Sequence, residues 1–446
     1  MLWLGLDNGI SKVELSSSIT TFSKQSGLKT GVLSIDRMGG NLFIGSPIGI
    51  SVLNKEKRVF ETGEFGGAVQ VFDMLKKGEN LIFPIMNGMA VLNKDLQLAY
   101  KYEDDRYLAF AFLDSKFLKN RIFVGNSFGL SVLKLSENGD VWEREGYFPG
   151  NFFEIWTLAE SKEGEIWAGT QSGIAYKITP VIDENGDFDF ENSKVEIFGQ
   201  ETGKKAGNGI IYGNAGKVYA LSEQGLSSYN PESGNFEMDS TFGEIKIDFA
   251  STDNFSMVED KKGRVWITIK NRIRLASPKP EGGYKLEEDL FNAYPWEDIT
   301  TIYPEDDGTV WVGSGDGLVR MEEKGANNIQ KKFSTLLRQA ITKTDTLSLD
   351  AAEGISLQQS NNSLRFMYAA PFFEQEDRTV YQTYLEGFDP DWTDWGTNSY
   401  KEYTNLATGT YTFRVRAKNL YNVISEEATY CLLYTSPSPR DRGNHL

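Results

Sequence analysis

Short apolar segments alternate with polar turns along most of this sequence. A recurring unit begins with an apolar strand that contains an aromatic residue, passes through polar or small residues to a glycine, and ends in a second apolar strand. Residues 166–174, with Trp167, Gly169 and Gly173, are one example. The unit predicts a β-hairpin, because glycine takes the positive φ that a tight turn needs and the flanking residues favour strands.

The unit occurs eight times, at intervals of 39 to 52 residues. Its aromatic position is held by Trp3, Phe43, Ile82, Phe123, Trp167, Tyr219, Trp266 and Trp311. In seven units a glycine follows six residues later, as Gly9 and Gly317 do. In the remaining unit, which contains Trp266, Arg272 stands in that place. A further strand and turn precede most of these hairpins. About four strands in each 40–47 residues is typical of a propeller blade.

The repeat predicts an all-β chain with two main domains. Residues 17–325 are predicted to form a seven-bladed β-propeller, and residues 1–16 are the hairpin left from a preceding blade or propeller, so that Met1 is not the natural start. An eight-bladed ring with an incomplete first blade is the alternative. From residue 328 to residue 430 the pattern changes to alternating strands of about five to eight residues, which predicts an immunoglobulin-like β-sandwich.

The final residues, 431–446, break the preceding patterns. They contain two prolines and the only Cys and His of the chain, Cys431 and His445. The stretch resembles a translated sequencing adapter, and we interpret it as a non-native tail; a genuine linker is the alternative.

Amino-acid usage restricts the chemistry of residues 1–430. Without His or Cys, this segment cannot form a Ser-His-Asp triad, a Cys nucleophile or a Cys/His zinc site, and no catalytic residue, metal site or cofactor is predicted. The whole chain has 46 Lys+Arg against 63 Asp+Glu, a net charge of −17. Such acidity disfavours nucleic acid as a partner. No apolar run is long enough for a transmembrane helix.

Two units resemble the two-component regulator propeller, whose blade motif is approximately Gly-x-(Leu/Ile)-Trp-(Ile/Val)-Gly-Thr-x-x-Gly-(Leu/Ile). Residues 164–174 and 308–318 match it, and the second contains Trp311, Gly313 and Gly317.

Residues 384–419 resemble the triple-tyrosine (Y_Y_Y) domain, an immunoglobulin-like sandwich that follows regulator propellers. The matching residues are Tyr384, Gly387, Trp392, Tyr403, Gly409 and Tyr411. Tyr384, Tyr403 and Tyr411 hold the positions of the three tyrosines, with Thr383 where the family more often has the first. The resemblance implies the sensor region of a bacterial histidine kinase or hybrid kinase, on the periplasmic side of the inner membrane. It also implies a homodimer, a membrane link only through a missing transmembrane helix, and a kinase or transcriptional output beyond this chain.

We expect a small-molecule or oligosaccharide ligand. Propeller ligands usually contact irregular loops at one end of the ring, and this decides the choice of candidate residues. The candidate residues are Tyr102, Arg106, Tyr107, Phe152 and Trp296, in loops that mix aromatic and polar side chains. Two rival functions remain open at this point: a stand-alone protein-interaction propeller, and a carbohydrate-active enzyme that uses carboxylates.

Overall fold

The computed structural model describes every residue except 1, 7–8, 14–18, 64, 66–68, 104–107, 140, 149–153, 200–201, 205, 208, 223–224, 246–254, 289–295, 297, 324–331, 350–354, 359–362, 374–375, 420–422 and 436–446. Contacts divide the chain into two compact units, residues 1–326 and 327–446. The described residues are almost entirely strands and turns, with single-turn 3-10 helices at Lys24–Ser26 and Glu376–Arg378. None of the described helices is long and apolar enough to cross a membrane.

The described part of the first unit contains one two-stranded sheet and seven four-stranded antiparallel sheets. The two-stranded sheet pairs β1 (Leu2–Leu6) with β2 (Gly9–Val13). The strands of the larger sheets are β3 (Ile19–Phe22), β4 (Ser34–Met38), β5 (Asn41–Ser46), β6 (Gly49–Asn54), β7 (Val59–Thr62), β8 (Leu75–Lys77), β9 (Asn80–Ile85), β10 (Gly88–Asn93), β11 (Leu98–Glu103), β12 (Ala109–Asp114), β13 (Arg121–Asn126), β14 (Gly129–Leu135), β15 (Trp142–Tyr147), β16 (Thr157–Glu160), β17 (Ile166–Gly169), β18 (Ala175–Thr179), β19 (Lys194–Phe198), β20 (Ile211–Asn214), β21 (Lys217–Ser222), β22 (Gly225–Asn230), β23 (Asn235–Met238), β24 (Phe255–Glu259), β25 (Val265–Ile269), β26 (Arg272–Pro278), β27 (Tyr284–Glu287), β28 (Ile299–Pro304), β29 (Thr309–Ser314) and β30 (Gly317–Glu322).

The seven sheets follow one another in a closed cycle. Six of them consist of four consecutive strands, from β4–β7 to β24–β27, whereas the seventh pairs β28, β29 and β30 with β3 from the start of the chain. The first strand of each sheet contacts the first strand of the next, and β28 contacts β4. This all-β, propeller-like arrangement joins both ends of the repeat region in one sheet, which closes the series through backbone hydrogen bonds.

In the seven repeats from Phe43 to Trp311, the side chain at the aromatic position lies between its own sheet and the next one. Trp167 and Trp266 are fully buried and Trp311 is nearly so. Trp167 packs with Val218 of the following sheet, and Trp266 packs with Val312. Because each core cluster spans two neighbouring sheets, burial of these side chains holds the sheets together.

Six of the seven repeat glycines, from Gly49 to Gly317, have a positive φ, as the hairpin pattern predicts. Gly173 has a φ of 80° and Gly317 a φ of 145°. A Cβ on Gly317 would lie 2.3 Å from the carbonyl oxygen of Phe22, so this glycine also allows β3 to approach. In the unit where Arg272 replaces glycine, the positive φ is found at Lys270 instead, at 53°.

The second unit contains two four-stranded sheets that share one apolar core. Its strands are β31 (Leu336–Ile341), β32 (Thr346–Leu347), β33 (Ile355–Gln358), β34 (Ser363–Ala369), β35 (Val380–Glu386), β36 (Tyr400–Thr404), β37 (Gly409–Lys418) and β38 (Ala428–Thr435). One sheet has the order β32-β31-β34-β36 and the other β33-β38-β37-β35. Phe366 and Phe413 stack between the sheets with ring centroids 4.0 Å apart.

The last strand crosses the predicted boundary at residue 430. β38 continues to Thr435 and pairs with β37 on one side and β33 on the other. Leu432 and Tyr434 are buried in the core of the second unit, while Cys431 and Leu433 are exposed. The alternation of apolar and polar residues therefore continues the two-sheet core of the second unit five residues beyond the predicted end. The rest of the predicted tail lies outside the described residues, and its foreign origin stays a prediction.

Candidate ligand site at the centre of the seven sheets

A cavity of about 430 Å³ lies where the first strands of the seven sheets converge. Each sheet contributes one apolar residue from the beginning of its first strand or from the residues just before it; these are Leu33, Phe72, Phe110, Trp156, Ile210, Phe255 and Ile299. We call this space the axial cavity, because all seven sheets line it. Its volume is within the range of small-molecule sites.

Aromatic side chains form two groups on the wall of the axial cavity. Phe110 and Trp156 stack with centroids 4.1 Å apart, and Phe72 meets both rings edge-on at 5.3 and 5.1 Å. Tyr212 and Phe255 form a second edge-to-face pair at 5.1 Å. Trp156 keeps a partly exposed ring, so the wall presents an indole surface to an occupant.

Polar side chains line the same space. The hydroxyl-bearing residues are Thr157, Tyr212, Ser256, Thr268 and Thr300, and Gln171 adds an amide from the turn between β17 and β18. Ser256 and Thr268 share a hydrogen bond of 2.5 Å between neighbouring strands. A wall of aromatic surface with a few convergent hydroxyl and amide groups is the usual composition of a small-molecule site.

Some of the polar residues near the axis also tie one sheet to the next. Thr157 Oγ1 accepts the backbone N–H of Ile211 at 3.0 Å, and Ser34 Oγ donates to the carbonyl of Val71 at 2.9 Å. Thr300 Oγ1 donates to the carbonyl of Val32 across the closing pair of sheets. These bonds fix the spacing of the first strands and hence the width of the axial cavity.

Two partly exposed carboxyl groups lie on or just before first strands, Asp36 on β4 and Asp73 two residues before β8. Asp73 Oδ2 accepts the N–H of Phe112 in the next sheet at 2.8 Å, and Oδ1 accepts the N–H of Met74 at 2.8 Å. Burial raises the pKa of Asp73 to about 7, and the neighbouring Asp36 adds to the shift. Burial also raises the pKa of Asp36 to about 6. Both carboxyls therefore have pKa values close to neutral pH.

The structure describes two of the five predicted ligand residues, Tyr102 and Trp296. Tyr102 packs against the core shared by the second and third sheets, and Trp296 is buried against the core of the last two. Neither lines the axial cavity. Arg106, Tyr107 and Phe152 lie outside the described residues. A ligand role for these three residues stays a prediction.

The cavity residues that sequence reasoning missed show a weak repeated signal. An apolar pair followed by a small polar or acidic residue precedes or begins the first strand in several units. Residues 32–34, 71–73 and 155–157 have this form, and each contributes its second residue to the axial cavity. Because the triplets are 39 and 84 residues apart, one and two repeat periods, and differ in identity, only a repeat alignment would have revealed them.

In the second unit, the predicted tyrosines occupy two different environments. Tyr403 is buried and donates to Asp389 Oδ2 at 2.8 Å, and burial with this bond raises its pKa. Tyr411 is buried and donates to the carbonyl of Ala407 at 3.1 Å. Tyr384 is half-buried, and its ring centroid lies 5.8 Å from that of Trp392. The preceding residue, Thr383, is buried.

Residues 373–435 match the family model described as the Y_Y_Y domain. The chain contains a Y_Y_Y domain. The match covers β35 to β38 and includes both buried tyrosines, Tyr403 and Tyr411. It also includes residues 431–435, in agreement with the course of β38. No curated protein has a significant match to the sequence.

Solved structures with the same fold include two from B. thetaiotaomicron. The extracellular domain described as part of the hybrid two component system BT3049 superposes with a TM-score of 0.68 at 18% identity, over 94% of this chain and 58% of that one. The extracellular domain of the hybrid two component system BT4673 gives a TM-score of 0.50 at 15% identity, over 98% and 62%. The chain thus spans less than two thirds of either domain, and at this identity the likeness shows the fold.

Proposed function

We propose that this chain is the extracytoplasmic, ligand-sensing region of a signal-transduction regulator, and that it has no enzymatic activity of its own. The observation that supports this most is the order of its parts, a propeller-like unit followed by a Y_Y_Y domain. Extracellular domains described as parts of hybrid two component systems share the fold. The axial cavity is the proposed ligand site, and the Y_Y_Y domain passes the signal to an output domain beyond this chain.

The proposal includes a specific architecture for each unit. We assign the cycle of seven sheets to a seven-bladed β-propeller, closed by the pairing of β3 with β30. We assign the two sheets of the second unit to an immunoglobulin-like sandwich. In a sensor of this architecture, the ligand would shift the equilibrium between two arrangements of a dimer. Such a shift requires that the ligand bind one arrangement more tightly than the other.

The lining of the axial cavity favours a neutral oligosaccharide. The apolar face of a sugar ring packs on aromatic surfaces such as Trp156, while its hydroxyls pair with the polar groups of Thr157, Thr268 and Gln171. The net charge of −17 repels polyanions, and it therefore favours an uncharged glycan over a sulfated or uronic one.

A binding screen tests the proposal. The purified chain is titrated calorimetrically with neutral and anionic oligosaccharides, and any ligand is recovered and analysed by chromatography. The proposal expects a neutral saccharide to bind and to be recovered unchanged. Release of shorter products would favour the carbohydrate-active enzyme, whereas a protein partner bound in place of any glycan would favour the interaction propeller.

A further inference from the structure

The lining of the axial cavity is divided into an apolar part and a part that carries polar groups. Counted from the sheet β4–β7, the first three sheets contribute only Leu33, Phe72 and Phe110. Every side-chain hydroxyl or amide among the described lining residues comes from the other four sheets; these residues are Thr157, Gln171, Tyr212, Ser256, Thr268 and Thr300. Because the sheets follow one another around the cycle, the two kinds of lining lie on opposite sides of the same space.

One set of turns surrounds the axial cavity. In each of the seven sheets, the turn between the second and third strands lies at the end where the first strand begins, because neighbouring strands are antiparallel. Gln171, from this turn of the fourth sheet, lines the cavity. Asn271, from the same turn of the sixth sheet, accepts the N–H of the lining residue Ile299 through Oδ1 at 3.4 Å. These turns therefore border the axial cavity.

Three of these turns carry an exposed apolar side chain, and they belong to the first three sheets. Ile48, Met86 and Phe128 are 48%, 69% and 70% exposed, and we call them the apolar rim. The same turns of the fourth, sixth and seventh sheets carry polar residues or glycine instead, namely Gln171 and Ser172, Lys270 and Asn271, and Gly315 and Asp316. The turn of the fifth sheet lies outside the described residues. Single exposed apolar residues are ordinary on a protein surface, whereas a group of them beside a cavity indicates a binding surface.

Hydrogen bonds within the turns hold two members of the apolar rim in place. The N–H of Ile48 donates to Ser46 Oγ at 3.3 Å, and the N–H of Phe128 donates to Asn126 Oδ1 at 2.8 Å. Ser46 and Asn126 are buried, and Asn126 Nδ2 also donates to Ser131 Oγ at 3.2 Å. Because the backbone of these turns is already fixed, covering the rim with a ligand costs little further backbone entropy.

We propose that the ligand of the axial cavity is a neutral saccharide that carries an apolar substituent, an acyl or aryl group. The inference deepens the proposed function and rests on it, since it assumes that the axial cavity is the ligand site. The sugar hydroxyls pair with the polar side chains of the fourth to seventh sheets. The substituent lies against Phe72 and Phe110 and leaves the cavity over the apolar rim. A bare sugar leaves the rim in water, whereas the substituent removes apolar surface of both partners from water.

Paired glycosides measure the contribution of the substituent. The probes are the methyl, hexyl and phenyl glycosides of glucose, mannose, maltose and cellobiose, titrated calorimetrically into the purified chain below the concentration at which hexyl glycosides form micelles. For a sugar that binds, we expect the hexyl or phenyl glycoside to bind at least about tenfold more tightly than the methyl glycoside. Burial of about two methylene groups is enough for a gain of this size.

Two variants separate binding at the apolar rim from adsorption at any exposed apolar residue. The double variant Met86→Ser, Phe128→Ser should lose most of the tenfold gain and keep the parent's affinity for the methyl glycoside. Phe117→Ser is the matched control and should keep the gain. Phe117 is 54% exposed in the turn between β12 and β13, at the opposite end of these strands from Phe128.

The outcomes distinguish the inference from the proposed function. A hexyl or phenyl glycoside that binds no more tightly than the methyl glycoside, or a gain that persists in the double variant, would overturn the inference and leave the sensing function standing. Failure of every saccharide and glycoside to bind would count against the proposed function, and the inference would fall with it.

A second copy of the chain is the competing occupant of the apolar rim. Sedimentation velocity at several protein concentrations compares the parent with the double variant, and we expect the same oligomeric state in both. A dimer of the parent that dissociates in the double variant would assign the rim to self-association and overturn the inference.

Discussion

The tryptophans of the repeat differ in one contact that should be visible in stability. Trp311 Nε1 donates to Glu305 Oε1 at 2.5 Å, and Trp266 Nε1 donates to Asp260 Oδ2 at 3.2 Å. Both acceptors precede their tryptophan by six residues. The equivalent position before Trp167 is Ser161, and the buried Nε1 of Trp167 has no hydrogen-bond partner among the residues that the structure describes.

Replacing the tryptophans by phenylalanine isolates this contact. Trp167→Phe and Trp311→Phe lose the same ring from equally buried sites, so the apolar terms nearly cancel in the comparison. Trp311→Phe loses a hydrogen bond to a carboxylate, which is worth about 1.5–3 kcal/mol, whereas Trp167→Phe removes an unpaired donor that costs about 1–3 kcal/mol. Because Glu305 is partly exposed and keeps its ion pair with Arg37, we expect Trp311→Phe to be more destabilising by about 2–4 kcal/mol.

Urea unfolding of the first-unit transition measures the difference. The midpoints of the two variants and the parent are compared at an unchanged slope, so that a midpoint shift reports stability. Equal losses in the two variants, or a larger loss in Trp167→Phe, would refute the idea that the carboxylate six residues upstream stabilises the repeat through the indole N–H.

Three further predictions concern other parts of the chain. Gly169→Ala should destabilise the first unit by several kcal/mol, because its Cβ would lie 2.5 Å from the carbonyl oxygen of Gly209, just before β20. Gly173→Ala has open space and should cost only the strain of a positive φ, about 1 kcal/mol; thermal unfolding compares the two variants. Tyr403→Phe should destabilise the Y_Y_Y domain by about 1.5–3 kcal/mol through loss of its bond to a carboxylate, and Tyr384→Phe by much less. Since the pKa of Asp73 is raised in the folded protein, the folded state binds the extra proton between about pH 4 and about pH 7, and its stability should fall as pH rises through that window but not in Asp73→Asn.

The repeats were predictable because each one is specified locally. An apolar strand with Trp167 or Trp311, followed by a glycine turn, determines a hairpin without reference to distant residues, and the four-stranded sheets follow from the period. The strands around residues 363–369 and 409–418 were predictable for the same reason. β33 was not predictable, because its four residues pair in parallel with the distant strand β38. β38 itself was predicted to end at residue 430, because the amino-acid composition changes there.

The candidate site was not predictable in the same way. The axial cavity takes residues from all seven sheets, and nothing local marks Phe110 or Tyr212 as lining it. Trp296 resembled a ligand residue in sequence because it lies in an irregular aromatic loop. In the fold it fills the gap between two sheets, since burial of so large a side chain stabilises the structure more than exposure would.

Whether the axial cavity is the ligand site is decided by the affinity of Trp156→Ala for neutral oligosaccharides. Trp395, which is half-buried in the second unit, provides the matched control as Trp395→Ala. We expect Trp156→Ala to weaken saccharide binding at least about tenfold, or ~1.4 kcal/mol, and Trp395→Ala to leave it unchanged. Unaltered affinity in Trp156→Ala would contradict the assignment of the axial cavity as the ligand site.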